Sequence, residues 1–408
     1  MEVSARTELA AVPSHVPKDL VVDFDLYEKR RGLTPAQDWW IELRDGHRGT
    51  VAWTARNGGH WIALRGAAIK EVLSNSDRFS SKYINVPRID HSAHGTPPPL
   101  PISLDPPLHG PYRAILNPLV APRPVREKEE VIRAIAAELL DGFKGNGHCE
   151  FMADFARRIP AAVVLSMADL PLGDAAAISD LSSGVTRPKH PNDSTESLQA
   201  LVDYFRPVSD ARRGGSGSDV ISRIVNGQVN GERLSEDDAV GMVLQFVGAG
   251  LDTTGSIMGY AMFYLARHPE QQRRLADNPS LIPRAAEELV RRFPIATVGR
   301  EVREDTEFYG VLLKKEDMIL APTALINLDD ELFPNPIDVD FDRDQALNNT
   351  FGDGQHRCPG GILARTEVRI AMEEWLKRIP EFELAAEAID FANGIIANMD
   401  ALPLRWSR

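Results

Sequence analysis

The chain has 408 residues, 43% of them hydrophobic and 26% charged, with a net charge of −13 and two cysteines, Cys149 and Cys358. That composition is ordinary for a globular protein with a large core. The negative balance argues against nucleic acid or an anionic membrane as partner, and two cysteines build no disulfide framework, which fits a reducing cytoplasm.

The first 17 residues lack a basic segment followed by an apolar core, so no signal peptide is expected. Residues 12–27 read as extended and proline-punctuated. Residues 51–65 alternate around Asn57-Gly58-Gly59, the turn signal of a plain structural hairpin. Residues 88–104 are proline-rich and irregular. Long ordered loops in compact domains are often functional, so this one is expected to form a wall or lid of a binding site. Helices are predicted over 107–120, 126–143, 151–170, 172–183, 194–213 and 219–225, with a turn at 226–231. No repeat, low-complexity tract or linker divides the chain, so a single domain over 1–408 is expected.

Residues 239–266 carry one charge, Asp252, in a run long enough to span a membrane. Gln245, Thr253, Thr254, Ser256 and five glycines make it too polar for a lone span. Ser235, followed by Glu236, Asp237 and Asp238, caps its start as in water-facing helices. The run therefore reads as a central helix buried inside the protein. Gly248 and Gly250 each cost roughly 1 kcal/mol relative to Ala in a helix interior. The helix is expected to open there or to admit something close. Thr253 is placed to donate its hydroxyl to the Ala249 carbonyl, a bond that loosens helices. A dinucleotide loop built from Gly248, Gly250 and Gly255 is rejected, because these glycines interrupt a helix and follow no strand.

Within residues 285–293, Glu288 and Arg291 stand three apart on one helical face. After Pro294, short strands are predicted over 299–302, 306–312 and 318–321, then coil. Next comes Phe351-Gly352-Asp353-Gly354-Gln355-His356-Arg357-Cys358-Pro359-Gly360-Gly361, which delivers a cysteine to a helix predicted over 362–376, with a strand-rich tail behind it. Its glycines let backbone pass close to a flat, bulky group. Pro359 suits the first helical turn, and Gly360 and Gly361 leave N–H groups open near the sulfur. The helix N-terminus is thus expected to hold Cys358 as a thiolate.

This stretch resembles the haem-binding loop of the cytochrome P-450 family, Phe-Gly-x-Gly-x-His-x-Cys-x-Gly, with Phe351, Gly352, Gly354, His356, Cys358 and Gly360 at the fixed positions. The resemblance covers essentially the whole chain. It implies a mainly α fold with a small β portion, the single-domain P-450 fold with a long central helix over the haem. It also implies haem b as cofactor, Cys358 as the axial thiolate on the iron, and O2 as co-substrate. The segment from Ala249 to Thr254 resembles the family's oxygen-binding motif, by which Thr253 holds oxygen and water while Asp252 relays protons. The segment from Asp105 to Arg113 resembles the one whose His and Arg bind haem propionates. His109 and Arg113 take that role by resemblance, with His356 and Arg300 the remaining candidates by position. Glu288, Arg291 and Arg343 match the Glu-x-x-Arg pair and third arginine that brace the cysteine loop.

The implied activity is a monooxygenase that inserts one oxygen atom into an unactivated C–H bond. A haem-based gas sensor or carrier would not need the Asp252–Thr253 pair, and a peroxygenase of this fold replaces that pair with an arginine–proline arrangement. The chain holds no flavin or iron–sulfur segment, so electrons are expected from separate proteins; the resemblance implies a 2Fe–2S ferredoxin, itself reduced by an NAD(P)H-dependent reductase. Lys70, Arg113, Arg357 and Arg365 are the candidate docking cations. Further stretches resemble the bacterial camphor-hydroxylase subfamily, with two departures. Residues 85–104 hold no tyrosine, and Val298 stands where that subfamily has an aspartate. The substrate-facing set is expected to be Gln245, Gly248, Ala249, Thr253, Ile295, Ala296 and Thr297, with part of 85–102. A cyclic terpenoid-like or norisoprenoid substrate larger than camphor, such as an ionone, fits the small Gly248 and Ala296.

Overall fold

The computed structural model describes residues 9–88, 97, 99–186, 193–344 and 348–407. Much of the expected wall loop at 88–104, and the first eight residues, lie outside the described residues. Helices dominate, and the expected central helix runs over Glu236–Ala266, 31 residues long. Its cap is the one the sequence implies: Ser235 Oγ accepts from Asp238 N at 3.0 Å. Most of its residues are buried, because it packs against helices Arg158–Met167, Asp193–Arg212 and Gly361–Arg378. No helix among the described residues is long and apolar enough to cross a membrane.

The helix is continuous across Gly248 and Gly250, so the expectation that it opens there is corrected. Its intimate contacts come one and two turns later. A Cβ on Gly255 would lie 3.0 Å from Ala156 O, and one on Gly259 would lie 2.5 Å from Met152 Sδ. Both partners belong to a π-helical turn, Met152–Ala156, which precedes helix Arg158–Met167. The single helix expected over 151–170 is therefore divided.

The largest sheet has six strands in the order Val21–Val22, Val51–Thr54, His60–Ala63, Met318–Pro322, Thr297–Val302 and Phe79–Ser80. The expected hairpin lies inside it, with Asn57, Gly58 and Gly59 all at positive φ. Trp53, Trp61, Ile62, Ile319 and Leu320 belong to a core of this sheet, separate from the helical core. Residues 306–312 are not one strand. Thr306–Phe308 and Val311–Leu313 pair as a hairpin about Tyr309 (φ 51°) and Gly310 (φ 79°). A tyrosine in the left-handed region gives no turn signal in a sequence. Helices Ala36–Asp45, Gly66–Ser74 and Pro269–Asp277 are further elements that the sequence reading leaves unassigned.

Candidate active site

The cysteine loop depends on glycine at two points. Gly352 and Gly354 hold φ at 79° and 67°. A Cβ on Gly354 would also stand 2.7 Å from Ser74 Cα and 2.8 Å from Leu73 O, so the loop lies on helix Gly66–Ser74 as closely as glycine alone permits. Cys358 N donates to Phe351 O at 2.9 Å and closes the loop, and helix Gly361–Arg378 follows with Gly360 as its N-cap. The Phe351 ring lies 4.4 Å from the Arg365 guanidinium, which pairs with Glu287 at 2.9 Å.

Cys358 is exposed to solvent, although protein crowds around it. Burial pushes the thiol up, while the Gly360 N–H, the Arg113 and Arg365 charges and the Gly361 N–H pull it down, and burial wins. The Gly360 and Gly361 N–H groups thus act on the sulfur in the sense expected from the sequence, against desolvation by the surrounding protein. A bound metal cation deprotonates a coordinating thiol outright.

Around this loop lies a set of nitrogen-bearing side chains with buried atoms left unmet. His109 and Arg300 are each 3% exposed, and the His109 and His356 rings stand 4.1 Å apart. His109 Nε2, His356 Nε2 and Arg300 Nε are buried with no hydrogen-bond partner among the described residues. Burial and the neighbouring Arg300, His109 and Arg113 hold His356 down at about 3, and burial draws Arg300 down to about 10. Burial, then the Arg113 charge, also lowers His109. Arg113 donates to Asn117 Oδ1 at 2.7 Å and to the Arg357 carbonyl. Unmet donors crowded in low dielectric favour an anion between them. Haem carries two carboxylates, so these residues fit it.

On the central helix, Ala249 is exposed, and Gln245, Gly248 and Thr253 are half-buried. A Cβ on Gly248 would meet nothing within 4 Å. Thr253 Oγ1 donates to Ala249 O at 2.7 Å, the back-bond read from the sequence. Asp252 is 5% exposed. In strand Thr297–Val302 and the residues before it, Ile295 and Thr297 are buried, whereas Ala296 and Val298 are half-buried. This alternation puts Ala296 and Val298 on one face with Arg300. Thr323 Oγ1 donates to Ala296 O at 2.7 Å, and Thr297 N donates to Ile395 O at 2.9 Å, which fixes that stretch from both sides.

Behind the loop, Arg291 grips both oxygens of Glu288, at 2.7 and 2.8 Å, and Arg343 adds a third bond at 3.0 Å. The arginines also donate to the carbonyls of Asn327, Pro336, Asp338 and Asn335. Two residues absent from the sequence reading complete the tie. Asn327 Nδ2 donates to Thr350 Oγ1 at 2.7 Å, and Thr350 Oγ1 donates to Val290 O at 2.8 Å, just before Phe351. Only the polar Asn348-Asn349-Thr350 run hints at this in the sequence. Of the candidate docking cations, Arg357 is exposed and Lys70 half-buried, whereas Arg113 and Arg365 are already engaged within the protein.

A family model described as Cytochrome P-450 matches residues 195–386. A probable cytochrome P-450 127A1 of Sinorhizobium fredii is 32% identical, over 95% of each chain. The crystal structure of CYP101J2 is similar with a TM-score of 0.90 at 37% identity, covering 98% of this chain and 100% of its own. That of CYP101C1 gives 0.89 at 36% identity over the same shares.

Proposed function

The chain belongs to the cytochrome P-450 family of haem-binding, O2-using monooxygenases, and from that membership we propose that it hydroxylates an unactivated ring carbon of a small hydrophobic cyclic substrate. The observation that carries the site assignment is the trio of unmet buried nitrogens, His109 Nε2, His356 Nε2 and Arg300 Nε. They lie around a loop that presents Cys358. Cys358 is the residue to ligate the haem iron, and His109, Arg113, Arg300 and His356 are those to hold the haem carboxylates. Bound there, haem supplies the activation of dioxygen.

The chain's own part is positioning and proton supply. The Thr253 hydroxyl, held on Ala249 O, orients water and oxygen on the open face of the central helix. Asp252, one residue earlier, hands on protons. Gln245, Gly248 and Ala249, with Ile295, Ala296 and Thr297, form the walls against which an apolar ring is held. The open space at Gly248 favours a ring system larger than camphor, such as an ionone. Electrons come from a 2Fe–2S ferredoxin reduced by an NAD(P)H-dependent reductase. Arg357 and Lys70 are the docking cations left available, and the enzyme works in the cytoplasm.

The test is the haem spectrum of the purified protein. The reduced, carbon-monoxide-bound form should show the red-shifted band of thiolate ligation, and Cys358→His should lose it. Titration with cyclic terpenoids should then give a larger substrate-induced shift for ionones than for camphor. Tight camphor binding with efficient single-site hydroxylation would overturn the substrate reading and leave the monooxygenase assignment standing. Ferredoxin-supported turnover should fall as salt rises. A flat salt response would refute charge-guided docking.

A further inference from the structure

The stretch from Ile295 to Thr297 and the hairpin strand beside it are both held from one buried hydroxyl. Tyr260 stands on the central helix and is fully buried. Its ring lies between those of Phe293 and Phe391, stacked on both, with centroids 5.8 and 5.9 Å away. Its hydroxyl donates to Asn398 O at 3.2 Å, and the Gln37 side chain and the Ala36 N–H hydrogen-bond to its oxygen. Gln37, 1% exposed at the start of helix Ala36–Asp45, also donates from Nε2 to Pro294 O at 3.1 Å.

The two carbonyls held in this way flank the proposed substrate wall. Pro294 immediately precedes Ile295, and Asn398 follows Ile396 by two positions in the C-terminal hairpin. Between them the two stretches are joined to each other. Ala397 N donates to Ile295 O at 2.8 Å, Thr297 N donates to Ile395 O at 2.9 Å, and Ala296 bridges Ile396. Asn398 Nδ2 donates to Ile396 O at 3.1 Å, so the residue that Tyr260 grips is coupled to the one beside Ala296. Helix Ala36–Asp45, the central helix and both stretches of the wall thus meet at one oxygen. Stacked rings set the plane of a contact but leave sliding within it cheap, whereas a hydrogen bond fixes a distance.

We propose that Tyr260 is a positioning residue for substrate fit: through Asn398 O and, by way of Gln37, Pro294 O, its hydroxyl fixes where Ala296 and Ile396 stand against a bulky ligand in the haem pocket. Enclosed between two phenylalanines, Tyr260 acts only through that wall, so it governs the fit of bulky ligands and leaves ligation at the iron alone. This role rests on the reading of residues 295–297 as the wall, and on no particular substrate.

Two iron ligands separate the effects. Imidazole and 4-phenylimidazole bind haem iron through the same type of ring nitrogen, and only the second carries a phenyl group to meet the wall. Both are titrated into the ferric holoenzyme and read by the shift of the haem spectrum. Tyr260→Phe keeps the stacked ring and removes the hydroxyl alone. It should weaken 4-phenylimidazole about fivefold, the worth of one hydrogen bond lost from a preorganised wall, and leave imidazole within about twofold of wild type. Gln37→Leu should act in the same sense, and the double variant should lose less than the two fold-changes multiplied, because both act through one oxygen. Ala296→Leu, a change in the wall itself, should alter 4-phenylimidazole affinity and spare imidazole. If Ala296→Leu spares both ligands, the wall reading fails and the positioning role fails with it. If Ala296→Leu discriminates between them and Tyr260→Phe does not, the wall stands and the positioning role alone is overturned. An equal loss for both ligands in Tyr260→Phe would also overturn it, since that would mark a general disturbance of the haem site.

Discussion

Two buried polar clusters flank the cysteine loop, and they are built on opposite plans. In one, Glu288, Arg291 and Arg343 meet one another and a ring of backbone carbonyls. In the other, His109, His356 and Arg300 each keep a buried nitrogen that nothing among the described residues meets. Arg291 and Arg300 are equally secluded, each 3% exposed, so burial does not separate the two clusters. Completeness does. An unmet buried donor costs about 1–3 kcal/mol, and a chain that retains several in one place has shaped them for something it does not itself contain. On the function proposed above, the closed cluster braces the loop and the open one takes the haem carboxylates.

The sharpest way to break this contrast is to open the closed cluster. Glu288→Ala leaves two arginines facing each other in low dielectric, and should cost about 3–5 kcal/mol of folding stability by denaturant titration. A loss below about 1 kcal/mol would erase the distinction. Arg300→Met acts on the open cluster and should have the opposite sign in the two forms of the protein. A buried cation whose pKa falls to about 10 burdens the folded state at every pH below that value, because the unfolded chain holds the proton more tightly. The apoprotein should therefore be unchanged or stabilised, while haem retention weakens by about 1.5–3 kcal/mol through the lost charge-assisted bond. Haem transfer to a scavenging globin measures the second effect.

Glu367 sharpens the comparison through pH. It is 2% exposed on the cysteine helix, its Oε2 has no partner, and burial raises it from 4.5 to about 8. The folded-state value lies above the unfolded one, so the neutral carboxyl is compatible with the fold below about 4.5 and its contribution is lost as pH rises through about 8. Glu367→Gln should flatten that decline and raise stability at pH 9, by a gain on the order of 1–2 kcal/mol. An unchanged slope would show that the carboxyl finds a partner. The smallest effect on the fold, within about 0.5 kcal/mol, is expected for Thr253→Ala. That variant should bind substrate and consume electrons while releasing peroxide, whereas Asp252→Asn should slow turnover itself. Wild-type coupling and rate in both would remove the pair from the proposed mechanism.

The parts legible in the sequence were those set by local chemistry. Ser235 with three acids predicted the cap of the central helix, Asn57-Gly58-Gly59 predicted a hairpin, and the spacing from Thr253 to Ala249 predicted a hydrogen bond. Each depends on residues no more than about ten apart. The illegible parts depend on distant partners. The π-helical turn at Met152–Ala156 lies against Gly255 and Gly259, a hundred positions later. Asn327 reaches Thr350 across 23 residues and carries no periodic signal. The Cys358 thiol shows the same division. Its helix N-terminus was visible in Pro359-Gly360-Gly361, but Arg113, whose charge also acts on the sulfur, comes from far away in the chain.

The glycines of the central helix also set a direction for divergence among descendants of this chain. At Gly255 a Cβ would press on the Ala156 backbone and at Gly259 on the Met152 side chain, so a larger residue at either needs its neighbour to move. At Gly248 a methyl group meets nothing, and Gly248→Ala would remove a helix-interior glycine worth roughly 1 kcal/mol. Narrowing the proposed cavity there stabilises the helix, and widening it again gives that gain up. A lineage under no demand for a bulky substrate would therefore slide toward smaller ones through changes that also firm the fold. Return to a larger substrate would need an accompanying stabilising change elsewhere, so the two directions are not equally accessible.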